Sequence, residues 1–152
     1  MKQLYIKRLH PNAILPTRAT EGSAGFDLYA YTKQEITLMP GEVVQVNTKI
    51  ALEIDDPHYA AFIYARSGLA SKFGIIPANC VGVIDSDYRG EILICLTNLQ
   101  TKPFLIRHGD RIAQMIIAPV ALPQLCEVEQ LNSTERGTGG FGSTGLSSQE
   151  KQ

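Results

Sequence analysis

The sequence predicts an all-β domain, a jelly-roll or β-sandwich barrel with one short helix and a flexible glycine-rich C-terminal arm. Three observations lead there. Short segments rich in β-branched and aromatic residues recur along the 152-residue chain, turn signals separate them, and a sustained 3.6-residue period is almost absent. A chain of this length makes one domain that buries roughly two-thirds of its unfolded surface without disulfide help. We place that domain over residues 1–131 and the arm over 132–152.

Taken in order, the strands predicted are residues 3–9, 25–29, 35–38, 43–54, 59–65, 82–84, 91–97, 104–106, 111–120 and 125–128. Pro40-Gly41 suits the two central positions of a type II turn, and residues 107–110 form another turn. The segment SGLASKFG, residues 67–74, breaks the β pattern. It opens on a capping-type serine and closes on a glycine suited to a left-handed stop, so it predicts one or two helical turns. After Gln130 the strand signal gives way to Ser, Thr, Gly and charge, the composition of a mobile arm.

Composition excludes several function classes. Fourteen Lys and Arg balance 15 Asp and Glu without forming a basic stripe, which argues against a nucleic-acid surface. Apolar runs are interrupted by Gln114, Pro119 or Pro123 and fall short of the ~20 residues a membrane span needs. The N-terminus lacks a signal peptide's continuous apolar core. Cys80, Cys95 and Cys126 are an odd, widely spaced set with no CxxC pair, so neither a disulfide framework nor a zinc site is expected, and Cys80 and Cys95 sit in apolar company as buried thiols. These features point to a soluble protein of the cytoplasm or another reducing compartment. His10, His58 and His108 have no carboxylate or cysteine at ligand spacing and receive no role.

Four stretches carry chemistry within the domain. In RSG, Arg66 to Gly68, a strand ends and a helical turn begins, leaving N–H groups free to meet an anion. Arg66 adds a charge-assisted bond, Ser67 a hydroxyl, and Gly68 close backbone approach. A plain strand-to-helix cap with a solvated arginine fits the same residues. In NCVGVIDSDYRGE, residues 79–91, Val81, Val83 and Ile84 form an apolar wall, and DSDYRG reads as a hairpin connection. Asp85 directly follows that wall, where partial desolvation would raise its pKa and favour a general base. Tyr88 offers a ring to a sugar, and Asn79 offers donors and an acceptor to a pyrimidine edge. A polar tip with an Asx turn is the alternative. Asp27, between Phe26 and Leu28, and Gln114, inside GDRIAQM, are polar residues in apolar strands; the solvated face of a strand would also explain them.

The fifth stretch is RGTGGFGSTG, residues 136–145. Alternating glycines let successive N–H groups wrap an anion, although the GxxxxGK[ST] pattern of a P-loop is absent. Arg136 can meet phosphate bidentately, Ser143 and Thr144 can donate hydroxyls, and Phe141 can lie over an aromatic base. A disordered glycine-rich tail shares this composition, but a linker of that kind is polar throughout, and Phe141 is not.

Together and in this order, GSAGFDL, ARSGLA, GVIDSDYRGE, GDRIAQMI and RGTGGFGSTG resemble the five motifs of the trimeric dUTPase family, from Gly22 to Gly145. The resemblance implies a β jelly roll assembled as a homotrimer with active sites shared between subunits. It implies hydrolysis of dUTP to dUMP and pyrophosphate with Mg²⁺, which keeps uracil out of DNA and supplies dUMP for thymidylate synthesis. By the same resemblance Asp85 deprotonates the water that strikes the α-phosphorus, and Tyr88 stacks under the deoxyribose and excludes a 2′-hydroxyl. Asn79 and the backbone of Gly82, Val83 and Ile84 read uracil, with Leu93 a further uracil-side position. Arg66, Ser67, Gly68 and Gln114 take phosphate contacts, and Asp27 is an outer-shell partner of the metal through water. The arm closes from another subunit, with Phe141 on the uracil and Arg136, Gly142, Ser143 and Thr144 at the phosphates.

Two rival readings meet opposing features in the sequence. A dCTP deaminase of the same fold would carry a glutamate at its base-reading site and would need neither the IDSDY stretch nor the GGFGSTG arm, both present here. A binding or regulatory module without turnover is opposed by the intact Asp85 and Tyr88. A serine nucleophile lacks a histidine in any recognisable arrangement with Ser67 or Ser143.

Overall fold

Alternation shapes the first strand: half-buried Leu4 and Ile6 are interleaved with exposed Tyr5 and Lys7 over Leu4–Arg8, β1. The chain continues through β2 (Phe26–Tyr29), β3 (Ile36–Leu38), β4 (Val43–Asn47), β5 (Ile50–Ile54) and β6 (Tyr59–Tyr64). Then come helix α1 (Ser67–Phe73), β7 (Ile75–Pro77), β8 (Gly82–Ile84), β9 (Leu93–Asn98), β10 (Phe104–Ile106) and β11 (Arg111–Pro119). This computed structural model describes residues 3–140. By contact they fall into two units, Met1–Leu122 and Pro123–Gln152.

In the first unit every strand pair is antiparallel. The sheets have the orders β1-β5, β10-β3, β2-β11-β6-β8 and β4-β9-β7, and all four contribute side chains to one apolar cluster. Leu28, Leu38, Ile50, Ile75, Ile92, Leu96, Ile106, Ile112 and Met115 are its largest fully buried apolar members. Each gains about 1.5–3 kcal/mol from leaving water. The architecture is the all-β jelly roll that the strand pattern predicts. Among the described residues no helix is long and apolar enough to cross a membrane.

Local differences from the sequence reading have physical causes. The strand expected over 43–54 is two, because Lys49 adopts a left-handed φ of 55° and hands the chain from one sheet to another. Buried Thr48 closes that corner by donating its hydroxyl to the Ile92 carbonyl at 2.6 Å. β7 was not predicted; it is three residues long and ends on a proline, which an edge strand tolerates. No strand forms at 125–128, where Leu125 and Val128 are exposed with no ladder partner. Ser67 is not the cap of α1: Arg66 holds that position in an extended conformation with no side-chain cap bond, and Ser67 is the first helical residue. Gly74 does end the helix in the left-handed region, at φ 60°. The turn at Pro40-Gly41 has its positive φ of 73° at glycine, and the Glu42 N–H donates to the Met39 carbonyl.

Three further expectations fail. The segment after β8 is not a hairpin, since β8 pairs with β6 while β9 pairs with β4 and β7. It crosses between sheets. Cys80 is exposed rather than buried, because a φ of 62° puts it in the tight turn before β8; Cys95 is half-buried, and all three thiols are free. His58 does have a neighbouring carboxylate: its backbone N–H and ring Nδ1 both lie against Asp56 Oδ1, and the N–H bond first holds the Asp56 carboxyl below its ordinary range.

In the second unit the described residues contain neither helix nor strand, and a turn forms near residues 134–139. The Gly137 N–H donates to the Thr134 carbonyl and the Gly139 N–H to that of Arg136, both at 3.1 Å, while Arg136 Nε donates to the Gly139 carbonyl.

Candidate active site

β2 and β6 flank β11, and the register places Asp27 and Tyr64 on either side of Gln114. A register shift between Arg111 and Ala113 marks a bulge that brings the Arg111 guanidinium to the same place. Asp27 sits between two arginines: Arg66 Nε donates to its Oδ1 at 2.7 Å and Arg111 Nη1 to its Oδ2 at 3.2 Å. Its side chain is only 14% exposed. The structural reason for a carboxylate in an apolar strand is therefore pairing, which the sequence did not reveal.

Gln114 donates to the Ala65 carbonyl at 2.8 Å, bracing the end of β6 where Arg66 begins. A Cβ on Gly25 would lie 2.7 Å from Gln114 Oε1, so a larger residue in the loop before β2 would displace the end of that side chain. Asp27, Arg66, Ser67, Gly68, Arg111 and Gln114 line one cavity of about 360 Å³ together with Ser23 and Gly25. Nothing lies within 4 Å of where a Cβ on Gly68 would be, so that edge is open to a ligand. With two guanidinium groups, two serine hydroxyls and uncapped helical N–H groups, the cavity is built for an oxygen-rich anion.

A second cavity, about 180 Å³, is lined by Val83, Ile84, Asp85, Tyr88, Glu91 and Leu93. β8 supplies its apolar wall, with Val83 exposed and Ile84 half-buried. Asp85 is exposed, and its carboxylate has no hydrogen-bond partner among the described residues. The Tyr88 N–H donates to the Asp85 carbonyl at 3.1 Å, closing the turn. The Tyr88 hydroxyl donates to the Glu91 carbonyl at 3.0 Å, and a Cβ on Gly90 would overlap the ring. The ring face, not the hydroxyl, is what Tyr88 offers. Asn79 lies beside Gly82, its Nδ2 3.4 Å from where a Cβ would project.

These two cavities occupy opposite ends of one strand. Ile84 is opposite Ala61 in β6, so Asp85 lies toward the start of that strand, whereas Arg66 and Ser67 follow its end. At about 3.3 Å per residue the separation is roughly 15–20 Å.

The structure thus gathers the predicted residues into two groups. Arg111, Ser23 and Glu91 were missed. Arg111 lay inside GDRIAQM, where only Gln114 stood out against apolar neighbours, and its role depends on the bulge and the cross-sheet partner. Of the arm, Arg136 is described and bonded within its own turn; Phe141, Gly142, Ser143 and Thr144 lie outside the described residues. Among the described residues no three ligating side chains converge to hold a metal ion. Among the described residues Asp27 is the sole carboxylate lining the larger cavity, and each of its oxygens already accepts a guanidinium N–H. Each oxygen keeps a second lone pair, so Asp27 can meet a hydrated cation through one of the cation's waters, an arrangement that Mg²⁺, which keeps several waters, permits.

The sequence signature described as dUTPase matches residues 11–145. The chain belongs to the dUTPase family. A deoxyuridine 5'-triphosphate nucleotidohydrolase of Desulfitobacterium hafniense is 53% identical over 133 residues, 88% of each chain. The dUTPase of Staphylococcus bacteriophage 80alpha, solved with dUPNHPP, superimposes with a TM-score of 0.82 at 29% identity, covering 96% of this chain and 100% of that one. A mutant dUTPase from phage phi11 of S. aureus, described as revealing the coordination of a structural Mg(II) ion, has a TM-score of 0.77 at 26% identity over 87% of this chain and 100% of its own. As a member of this family, the enzyme is a dUTP diphosphatase.

Proposed function

We propose that the enzyme hydrolyses dUTP to dUMP and pyrophosphate by water attack on the α-phosphorus, with Asp85 as general base. The observation that carries this reading is the small cavity: an unpartnered carboxylate stands beside a tyrosine ring and an apolar wall. Asp85 takes a proton from the water, the water oxygen bonds to the α-phosphorus, and the bond to the bridging oxygen breaks to release pyrophosphate. A base works at about 2.6–3.2 Å or through one water, so the α-phosphate has to lie close to Asp85.

The uracil sits against β8, with Asn79 and the backbone of Gly82, Val83 and Ile84 at its polar edge and Leu93 at its side. Tyr88 presents its ring to the deoxyribose and leaves no room for a 2′-hydroxyl. The phosphates need the arginines, which lie roughly 15–20 Å away along β6 in the same chain. One nucleotide cannot meet both groups of a single chain at hydrogen-bond distance, and this supports a homotrimer in which one subunit's small cavity faces another's arginine cavity. There Arg66, Ser67, Gly68 and Gln114, with Arg111, hold phosphate oxygens. Mg²⁺ neutralises phosphate charge when bound, with Asp27 reaching it through water. The arm completes the site, Phe141 over the base and Arg136, Gly142, Ser143 and Thr144 at the phosphates, and it excludes water other than the nucleophile. The product serves thymidylate synthesis, and removal of dUTP keeps uracil out of DNA.

The test is pyrophosphate release from dUTP, dCTP, dTTP and UTP, with and without Mg²⁺. Turnover of dUTP far above the other three, dependent on Mg²⁺, is expected; equal turnover of UTP or dTTP would overturn the pocket assignments. A solution mass near three times 16.7 kDa checks the assembly.

A further inference from the structure

The second cavity contains a charged side chain that the proposed chemistry does not use. Glu91 lines it, yet its carboxylate is turned to the β4–β5 corner: Oε1 accepts the Lys49 backbone N–H at 3.0 Å and Oε2 the Lys49 ammonium at 2.7 Å. Its side chain is 16% exposed. Lys49 is one of two non-glycine residues with positive φ among the described residues, a strained conformation that persists only where its surroundings hold it. Those surroundings are well defined. The Lys49 carbonyl accepts the Leu9 N–H, and the residues on either side of Lys49 are stitched to Ile92, the neighbour of Glu91: Thr48 Oγ1 donates to the Ile92 carbonyl and the Ile92 N–H to the Ile50 carbonyl.

The backbone of the same glutamate faces the other way. Its carbonyl accepts the Tyr88 hydroxyl, while the ring lies over Gly90, where a Cβ has no room. Side chain and carbonyl of one residue thus join a rigid corner to the aromatic ring. We infer that Glu91 is a positioning residue: by gripping Lys49 it fixes the carbonyl that holds Tyr88, and so sets how strictly the site separates deoxyribose from ribose. The inference rests on the reading of Tyr88 as the sugar platform.

A residue that only stabilised the fold would lower activity toward dUTP and UTP alike. A positioning residue changes their ratio. The experiment measures kcat and KM for both nucleotides with the full-length wild type, Glu91→Ala, Glu91→Gln, Tyr88→Phe and the Glu91→Ala/Tyr88→Phe double variant. Glu91→Ala is expected to narrow the dUTP-to-UTP ratio of kcat/KM about tenfold, mainly through a higher KM for dUTP, with its kcat changed less than about threefold. Glu91→Gln, which keeps an acceptor for the Lys49 N–H, restores most of the ratio. Tyr88→Phe narrows the ratio as Glu91→Ala does, and the double variant adds less than about twofold, because both changes break one chain of contacts. An unchanged ratio in Glu91→Ala, or full additivity in the double variant, overturns the inference. If Glu91→Ala does not fold, Lys49→Met removes the ammonium partner and is read by the same ratio. A wild type that turns over dUTP and UTP equally overturns the function itself; one that discriminates while Glu91→Ala does so equally well overturns only the role of Glu91.

Discussion

Asp27 and Asp85 look alike in the sequence, each a carboxylate next to apolar residues, and they end in opposite surroundings. Asp27 lies inside the sheet with both oxygens taken by Arg66 and Arg111, whereas Asp85 stands exposed at the end of β8 with no partner for its carboxylate among the described residues. A carboxylate whose oxygens are committed holds its neighbours in place; one whose oxygens are free can accept a proton. The difference supports the reading of Asp27 as the anchor of the two arginines and of Asp85 as the general base.

The largest expected effect tests Asp85. Asp85→Asn should lower kcat for dUTP by ~10² to 10⁴-fold, the usual worth of a general base, with the melting temperature unchanged. Near-normal turnover would remove the base assignment. Asp27→Asn should behave the other way round. It leaves two guanidinium groups close together without their shared counter-charge, so denaturant unfolding should show a loss of about 1–3 kcal/mol as well as a raised KM. A variant as stable as the wild type would erase the contrast between the two aspartates. The smallest effect belongs to Gly90→Ala, where a methyl group would push the Tyr88 ring from its place. The dUTP-to-UTP ratio should narrow about tenfold with little change in kcat, and steady-state kinetics on both nucleotides checks it.

Much of this was legible before the structure. Every strand but β7 falls largely within a segment visible as a β-branched run between turns, since local propensity and punctuation agree there. β7 was hidden because three residues with a proline carry no period. The break in the stretch 43–54 was hidden because lysine gives no sign that it will turn left-handed at position 49. The site followed the same division. Asp85, Tyr88 and Arg66 stood out as polar residues at strand ends, whereas Arg111 and Glu91 became visible only through partners 84 and 42 residues away in sequence.

By itself the sequence determined the all-β class, the helix at Ser67–Phe73 and the kinds of chemical group the site has to offer, because alternation, turn residues and side-chain chemistry are local properties. Only the tertiary structure decided which aspartate is paired and which is free, and that Glu91 grips Lys49. It also placed Asp85 and the arginines at opposite ends of β6. Those outcomes depend on strand register and on which strands become neighbours, and register is set by burial of the whole apolar face rather than by any short run of residues.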